Sequence, residues 1–196
     1  HHIFRDALDK NPFPEALLYH KNEVPAALNR LRSIAENCHW LPAGDVYLMD
    51  SGMAAILGAS LDLQAAAKQK IIVLDVATSH TLGAALERGE LAAFFEYHTR
   101  DITLKRLEQL LPELAEGRLE HGQILSEGGH GAYTRKALGF PACEIIVATG
   151  PKRKLLQNSQ LPIHFGAPFG DNMMTGTVGL LEAIRRRQGL KPMRYV

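Results

Sequence analysis

A chain of 196 residues with 46% hydrophobic content is long enough to bury a core and too apolar to stay disordered. Its 22 Lys and Arg are balanced by 21 Asp and Glu, so no bulk field favours nucleic acid or an anionic membrane as partner. Two cysteines, Cys38 and Cys143, match no zinc-ribbon or iron–sulfur spacing and exclude a disulfide scaffold, and no apolar run approaches the roughly 18 residues of a membrane span. A cytoplasmic setting is expected, with no iron–sulfur cluster in this chain.

Residues 1–45 read as a lead-in. Asn11-Pro12-Phe13-Pro14 breaks helices, which predicts an irregular start with at most one helical turn over residues 1–21. From Asn22 to Glu36, apolar Val24, Ala27, Leu28, Leu31, Ile34 and Ala35 recur at helical spacing, which predicts an amphipathic helix. Residues 46–196 read as the main domain. Val46 to Met49 is a short strand that stops at Asp50-Ser51-Gly52 and enters a helix from Met53 to Ser60.

Ile71-Ile72-Val73-Leu74 is an apolar, β-branched run of the kind covered on both faces, and it ends in Asp75. Two further strands, Thr81 to Glu87 and Leu91 to Tyr97, flank Arg88-Gly89-Glu90 and complete a three-strand meander. Thr103 opens a helix to about Ala115, striped by Leu104, Leu107, Leu110, Leu111 and Leu114. Ser126 to Gly131 reads as a flexible polar loop. Ile145 to Ala148 is a second apolar strand ending in Thr149-Gly150, with Pro151 placed to start a helix. Leu161 to Phe165 is a short or edge strand, and Thr175 to Gln188 is the last helix. The order predicts an α/β fold with a mixed sheet, a three-strand meander flanked by helices.

Ligands of such sheets collect beyond the carboxyl ends of the strands. Three of those ends are polar: Asp50-Ser51-Gly52, Asp75 through Thr81, and Thr149-Gly150-Pro151. A strand-end carboxylate followed by Thr78, Ser79 and Thr81 can hold a Mg²⁺-associated water and offer hydroxyls to phosphate. The same residues also suit plain turn chemistry. Lys152-Arg153-Lys154 falls in the first turn of the predicted helix, where the dipole disfavours cations unless an anion or solvent offsets it.

Among nine histidines there is no HxH or HExxH, so a histidine metal site is not expected. A two-residue turn at Arg88-Gly89 would send His80 and His98 to opposite sheet faces, and only a three-residue loop would bring them together. His130, between Gly129 and Gly131, is the strongest single histidine for acid–base or ligand work. The glycine-dense run His164 to Gly179 suits either close approach to a ligand or tight helix packing. Cys143, before an apolar strand, reads as a structural thiol.

The segments Ile71 to Tyr97 and Ile145 to Leu155, with the glycine-rich run into the last helix, resemble the phosphate, adenosine and closing segments of the acetate and sugar kinase/Hsp70/actin superfamily. Phe165-Gly166-Ala167-Pro168-Phe169-Gly170-Asp171-Asn172-Met173-Met174-Thr175-Gly176 and Asp50 to Ala59 also resemble a prokaryotic family catalogued as pyruvate formate-lyase activating enzyme. Such an enzyme would hold a [4Fe–4S] cluster through CxxxCxxC, which two isolated cysteines do not form. The kinase-like resemblance implies an actin-like ATPase (ribonuclease H-like) lobe, with ATP and Mg²⁺ between two related lobes and phosphoryl transfer or ATP hydrolysis. It implies Asp75 and Asp50 as catalytic carboxylates, Asp75 as metal ligand, and Thr78, Ser79, Thr81, Gly150 and Lys152 toward a nucleotide or phosphorylated small molecule. The family pattern has Gly two residues after the Asp, where this chain has Ala77, and paired glycines where it has Gly150-Pro151. The chain would then be a C-terminal part partnered by a missing N-terminal lobe. The alternative is a structural or protein-binding domain that keeps the fold without ATP.

Overall fold

The computed structural model describes residues 2–193. The chain opens with α1 (His2–Lys10), a 3-10 turn (Pro14–Leu17) and β1 (Leu18–His20). The expected irregular lead-in is therefore corrected: the Pro12/Pro14 pair ends a helix and does not prevent one. Leu8 and Leu17 are fully buried, so burial of their side chains fixes the segment onto the domain. The predicted helix from Asn22 shrinks to α2 (Asn29–Glu36), because Pro25 disfavours helical backbone at Val24 and the chain turns there instead. No residue of α2 is buried.

β2 (Tyr47–Met49) pairs antiparallel with β1 and leads into α3 (Ser51–Ala59), whose N-cap is Asp50. The meander follows as β3 (Lys70–Val76), β4 (His80–Glu87) and β5 (Glu90–His98). α4 (Leu104–Ala115) starts at Thr103, whose hydroxyl accepts from the Arg106 amide at 3.2 Å. The segment expected as a flexible loop, Ser126 to Gly131, is the turn that joins two elements the sequence did not announce, α5 (His121–Ser126) and β6 (Gly131–Thr134), and β6 extends the meander by a fourth strand. β7 (Ile145–Thr149), β8 (Ile163–Phe165) and α6 (Thr175–Arg187) complete the chain. The helix expected after Pro151 is a four-residue 3-10 turn, Arg153–Leu156, too short to carry a helix dipole.

Beside the β1–β2 pair, six strands form one sheet in the order β6-β5-β4-β3-β7-β8, with β3 parallel to β7, β7 parallel to β8, and the other pairs antiparallel. β3 is thus mid-sheet, as its unbroken apolar run requires. Strand alternation divides the core in two. Ile71, Val73, Leu82, Ala84 and Phe94 face α1, α3 and α6, while Ile72, Leu74, Ala93, Phe95 and Ile146 face the leucine stripe of α4. α3 and α6 cross at glycines: a Cβ on Gly58 would strike the Thr175 carbonyl, and one on Gly179 the Ala54 carbonyl. The glycine-dense C-terminal run serves helix packing at that point. Among the described residues no helix is long and apolar enough to cross a membrane.

Candidate functional site

A cleft of about 610 Å³ opens at the carboxyl end of β3, within the size range of small-molecule sites. Its walls include Asp50, Ser51 and Gly52 from the start of α3, Asp75 through His80 from β3 and its turn, Glu96 from β5, and His130. Arg30 at the start of α2 is the only Lys or Arg among its described lining residues.

Asp75 sits on the same face as Ile71 and Val73 and is only 7% exposed. Burial, reinforced by the negative charge of Asp50, pushes its carboxyl up to about 6. No hydrogen bond or ion pair to its side chain is formed among the described residues. Gly150, at φ +91°, lies close against it: a Cβ there would strike Asp75 Oδ1 and the Val76 carbonyl. Asp50 differs in having work to do: its Oδ1 accepts from the Met53 amide at 3.0 Å, capping α3. That cap leaves the amides of Ser51 and Gly52, at the first helical positions, without an intrahelical acceptor.

The turn after β3 is held from below. The Ala77 amide donates to the His80 carbonyl at 3.1 Å, and the Thr99 hydroxyl donates to the Ala77 carbonyl at 2.8 Å. Thr78 and Ser79 are thereby presented, exposed, to the cleft. Thr81 is not. It lies on the opposite sheet face, fully buried, and its hydroxyl bonds that of Thr99 at 3.0 Å. The Thr149 hydroxyl is likewise spent on Thr175, at 2.8 Å. Of the residues expected to bind phosphate, the fold brings Asp75, Asp50, Thr78 and Ser79 to one cleft, sets Gly150 behind Asp75, and leaves Thr81 and Lys152 outside its lining. Lys152 is exposed, and its amide donates to the Val76 carbonyl at 2.9 Å. Arg153 is engaged by the Gly166 carbonyl and the Phe165 ring, so that guanidinium has local partners in place of an anion.

The largest departure concerns histidine. His80, His98 and His130 come together at one end of the cleft, with one ring nitrogen from each within 4.8 Å of the others. The hairpin turn has two residues, Arg88 and Gly89, both at positive φ, which alone would separate His80 from His98. A β-bulge corrects the register: Leu86 pairs with Leu91 but Ala85 with Ala93, so Ala92 is left over and His80 lies opposite His98. His130 is delivered by its glycine neighbours. Its amide donates to the Glu96 carbonyl at 2.8 Å, and a Cβ on Gly129 would press on that carbonyl and on Ile124. The sequence signal for this was the run Gly128-Gly129-His130-Gly131; the bulge at Ala92 left none.

Residues 1–155 match a family described as "Putative pyruvate format-lyase activating enzyme (DUF1786)". No curated protein matches the chain.

Proposed function

The chain belongs to that family, and we propose that it acts as a nucleotide- or phosphate-binding lobe of a kinase-like ATPase fold, with Mg²⁺ at Asp75. One observation carries the reading. Asp75, 7% exposed at the carboxyl end of the central strand, has no hydrogen-bond donor or cation on its own side chain among the described residues, and it shares its cleft with a second carboxylate, Asp50. Such a pair is most stable with a divalent ion between the two charges and an anion beyond it. When bound, Mg²⁺ would neutralise phosphate charge and orient it. The chain's own groups would do the rest: the Ser51 and Gly52 amides and the Thr78 and Ser79 hydroxyls would hold phosphate oxygens, and Arg30 would add a cation at the rim. The meander followed by two parallel strands supports placing the lobe in the acetate and sugar kinase/Hsp70/actin superfamily. Phosphoryl transfer or ATP hydrolysis is the chemistry such a site serves. A second lobe closing over the nucleotide and a cytoplasmic setting belong to the same proposal.

The name of the family describes different chemistry, which these residues do not fit. A [4Fe–4S] cluster is held by cysteine thiolates, and this chain has two cysteines. Cys38 donates to the Ala35 carbonyl at 3.0 Å and Cys143 to the Gly139 carbonyl at 3.6 Å, each within its own turn. Burial pushes the Cys143 thiol up, away from the thiolate a cluster needs.

Isothermal titration of the protein with Mg-ATP, Mg-ADP and phosphate tests the proposal. Binding heat in the wild type that is lost in Asp75→Asn is expected. No heat with nucleotide or phosphate would overturn it and leave the chain as a structural or protein-binding domain with Asp75 doing turn work, and equal heat in Asp75→Asn would overturn the site at Asp75.

A further inference from the structure

We propose that His80, His98 and His130 form a three-histidine seat for a single transition-metal ion, Zn²⁺ foremost, with its open coordination position facing the cleft. The proposal is independent of nucleotide binding and rests on a different set of side chains.

Three observations carry it. First, the Nε2 atoms of His98 and His130 are 3.2 Å apart, and a ring nitrogen of His80 completes a triangle with no edge above 4.8 Å. Zinc bound tetrahedrally at 2.0–2.1 Å holds its nitrogen ligands about 3.3 Å apart, so one edge is already at ligand spacing and the others need only side-chain rotation. Second, nothing else in the surroundings accounts for the cluster. Among the described residues no carboxylate pairs with any of the three rings, whereas His20 and His164 pair with Asp45 and Asp62. Among the described residues the ring contacts of each are with the other two, with centroids 4.4 to 4.9 Å apart. The one hydrogen bond of these rings among the described residues joins His98 to His130 and leaves the His80 nitrogen of the triangle without a protein partner. Third, the backbone goes out of its way to assemble it. A bulge at Ala92 resets the β4–β5 register, and Gly131 at φ +114°, packed under the His121 ring, brings His130 over the strand ends.

The chemistry of the donor set selects the ion. Three neutral imidazoles suit zinc and its first-row neighbours and are a poor set for Mg²⁺ or Ca²⁺, which take oxygen. His80 and His130 line the cleft, so the site opens toward Glu96 and Asp75 and is of the open type, with three protein ligands. The remaining position would take water or an oxygen of an anionic ligand in the cleft.

Protein prepared without a histidine tag is stripped with chelator and titrated with Zn²⁺, and separately with Co²⁺ while its visible bands are recorded. One ion per chain is expected, with tetrahedral Co²⁺ bands. His80→Asn, His98→Asn and His130→Asn should each weaken binding at least about 100-fold, since losing a ligand exceeds the 10–100-fold cost of losing a ligand's supporting contact. His39→Asn, in an exposed turn, should leave binding unchanged. Imidazole nitrogen resonances of the wild type give a reading that needs no variant to fold: Zn²⁺ should move those of His80, His98 and His130. Absence of a bound ion, variants that bind as the wild type does, or shifts confined to other histidines would each overturn the site.

Discussion

His80, the first residue of β4, stands directly across from His98, the last of β5, because a single residue, Ala92, is looped out of the ladder between them. One extra residue moves every side chain beyond it to the other face of its strand. Phe94, Glu96 and His98 therefore share a face with Asp75, His80 and Leu82, and the cleft inherits its polar rim from that register. The third histidine depends on glycine in the same way. Gly131→Ala would strain a backbone at φ +114° and press on the His121 ring. A loss of roughly 1–3 kcal/mol in urea unfolding is expected, together with displacement of His130 seen in its imidazole resonances.

Asp75 makes stability depend on pH in an unusual direction. Its carboxyl is raised to about 6, so the stability it contributes is full below its unfolded value near 4 and is lost as pH rises through about 6. The shift of about 2 units corresponds to about 3 kcal/mol. In metal-free protein, the stability of Asp75→Asn relative to wild type should therefore improve by about that amount between pH 4 and pH 8. Urea midpoints across this range check it, and parallel curves would contradict the burial described for Asp75.

The α3–α6 crossing is where the glycines have least room for a side chain. A methyl group at Gly58 or Gly179 meets backbone of the opposite helix and cannot be accommodated by rotating a side chain. Gly58→Ala and Gly179→Ala should each cost on the order of 2 kcal/mol or more by chemical denaturation. Gly176→Ala, with open space at the same helix, should be neutral or stabilising, as expected for glycine replaced in a helix.

Arg186 ties the N-terminal segment to the last helix, pairing with Glu182 and Glu15 at 2.7 Å while half-buried. Arg32 makes an exposed i,i+4 pair with Glu36 at 2.8 Å. Arg186→Ala should cost several times as much stability as Arg32→Ala, for which about 0.3–0.5 kcal/mol is expected. Equal losses would mean that the Arg186 pairs add nothing to the burial of Leu8 and Leu17 and the Tyr133–Asp9 hydrogen bond that also hold the lead-in.

The sequence was most legible where periodicity and capping agreed. β3, β4, β5, β7, α3, α4 and α6 all follow from apolar runs bounded by Asp50, Thr103, Gly89 or Gly189. It was least legible where tertiary context decides. α1 is amphipathic but short, and tertiary contacts, burial of Leu8 and the Tyr133–Asp9 hydrogen bond among them, make it worth forming. β6 has four residues and exists because β5 offers an edge. In the site, Asp75, Asp50, Thr78 and Ser79 could be named from strand ends alone, whereas Thr81 was misplaced because strand parity sends it to the far face. The histidine cluster was hidden by a bulge, which adds a residue to the ladder without any turn residue to announce it.

The cleft itself is tested most directly by mapping backbone amide shifts of the labelled protein as Mg-ADP is added. The largest changes should fall on Asp50 to Gly52 and Asp75 to Ser79, and should vanish in Asp75→Asn. An unchanged spectrum, or shifts confined to residues away from the carboxyl end of β3, would contradict nucleotide binding at this site.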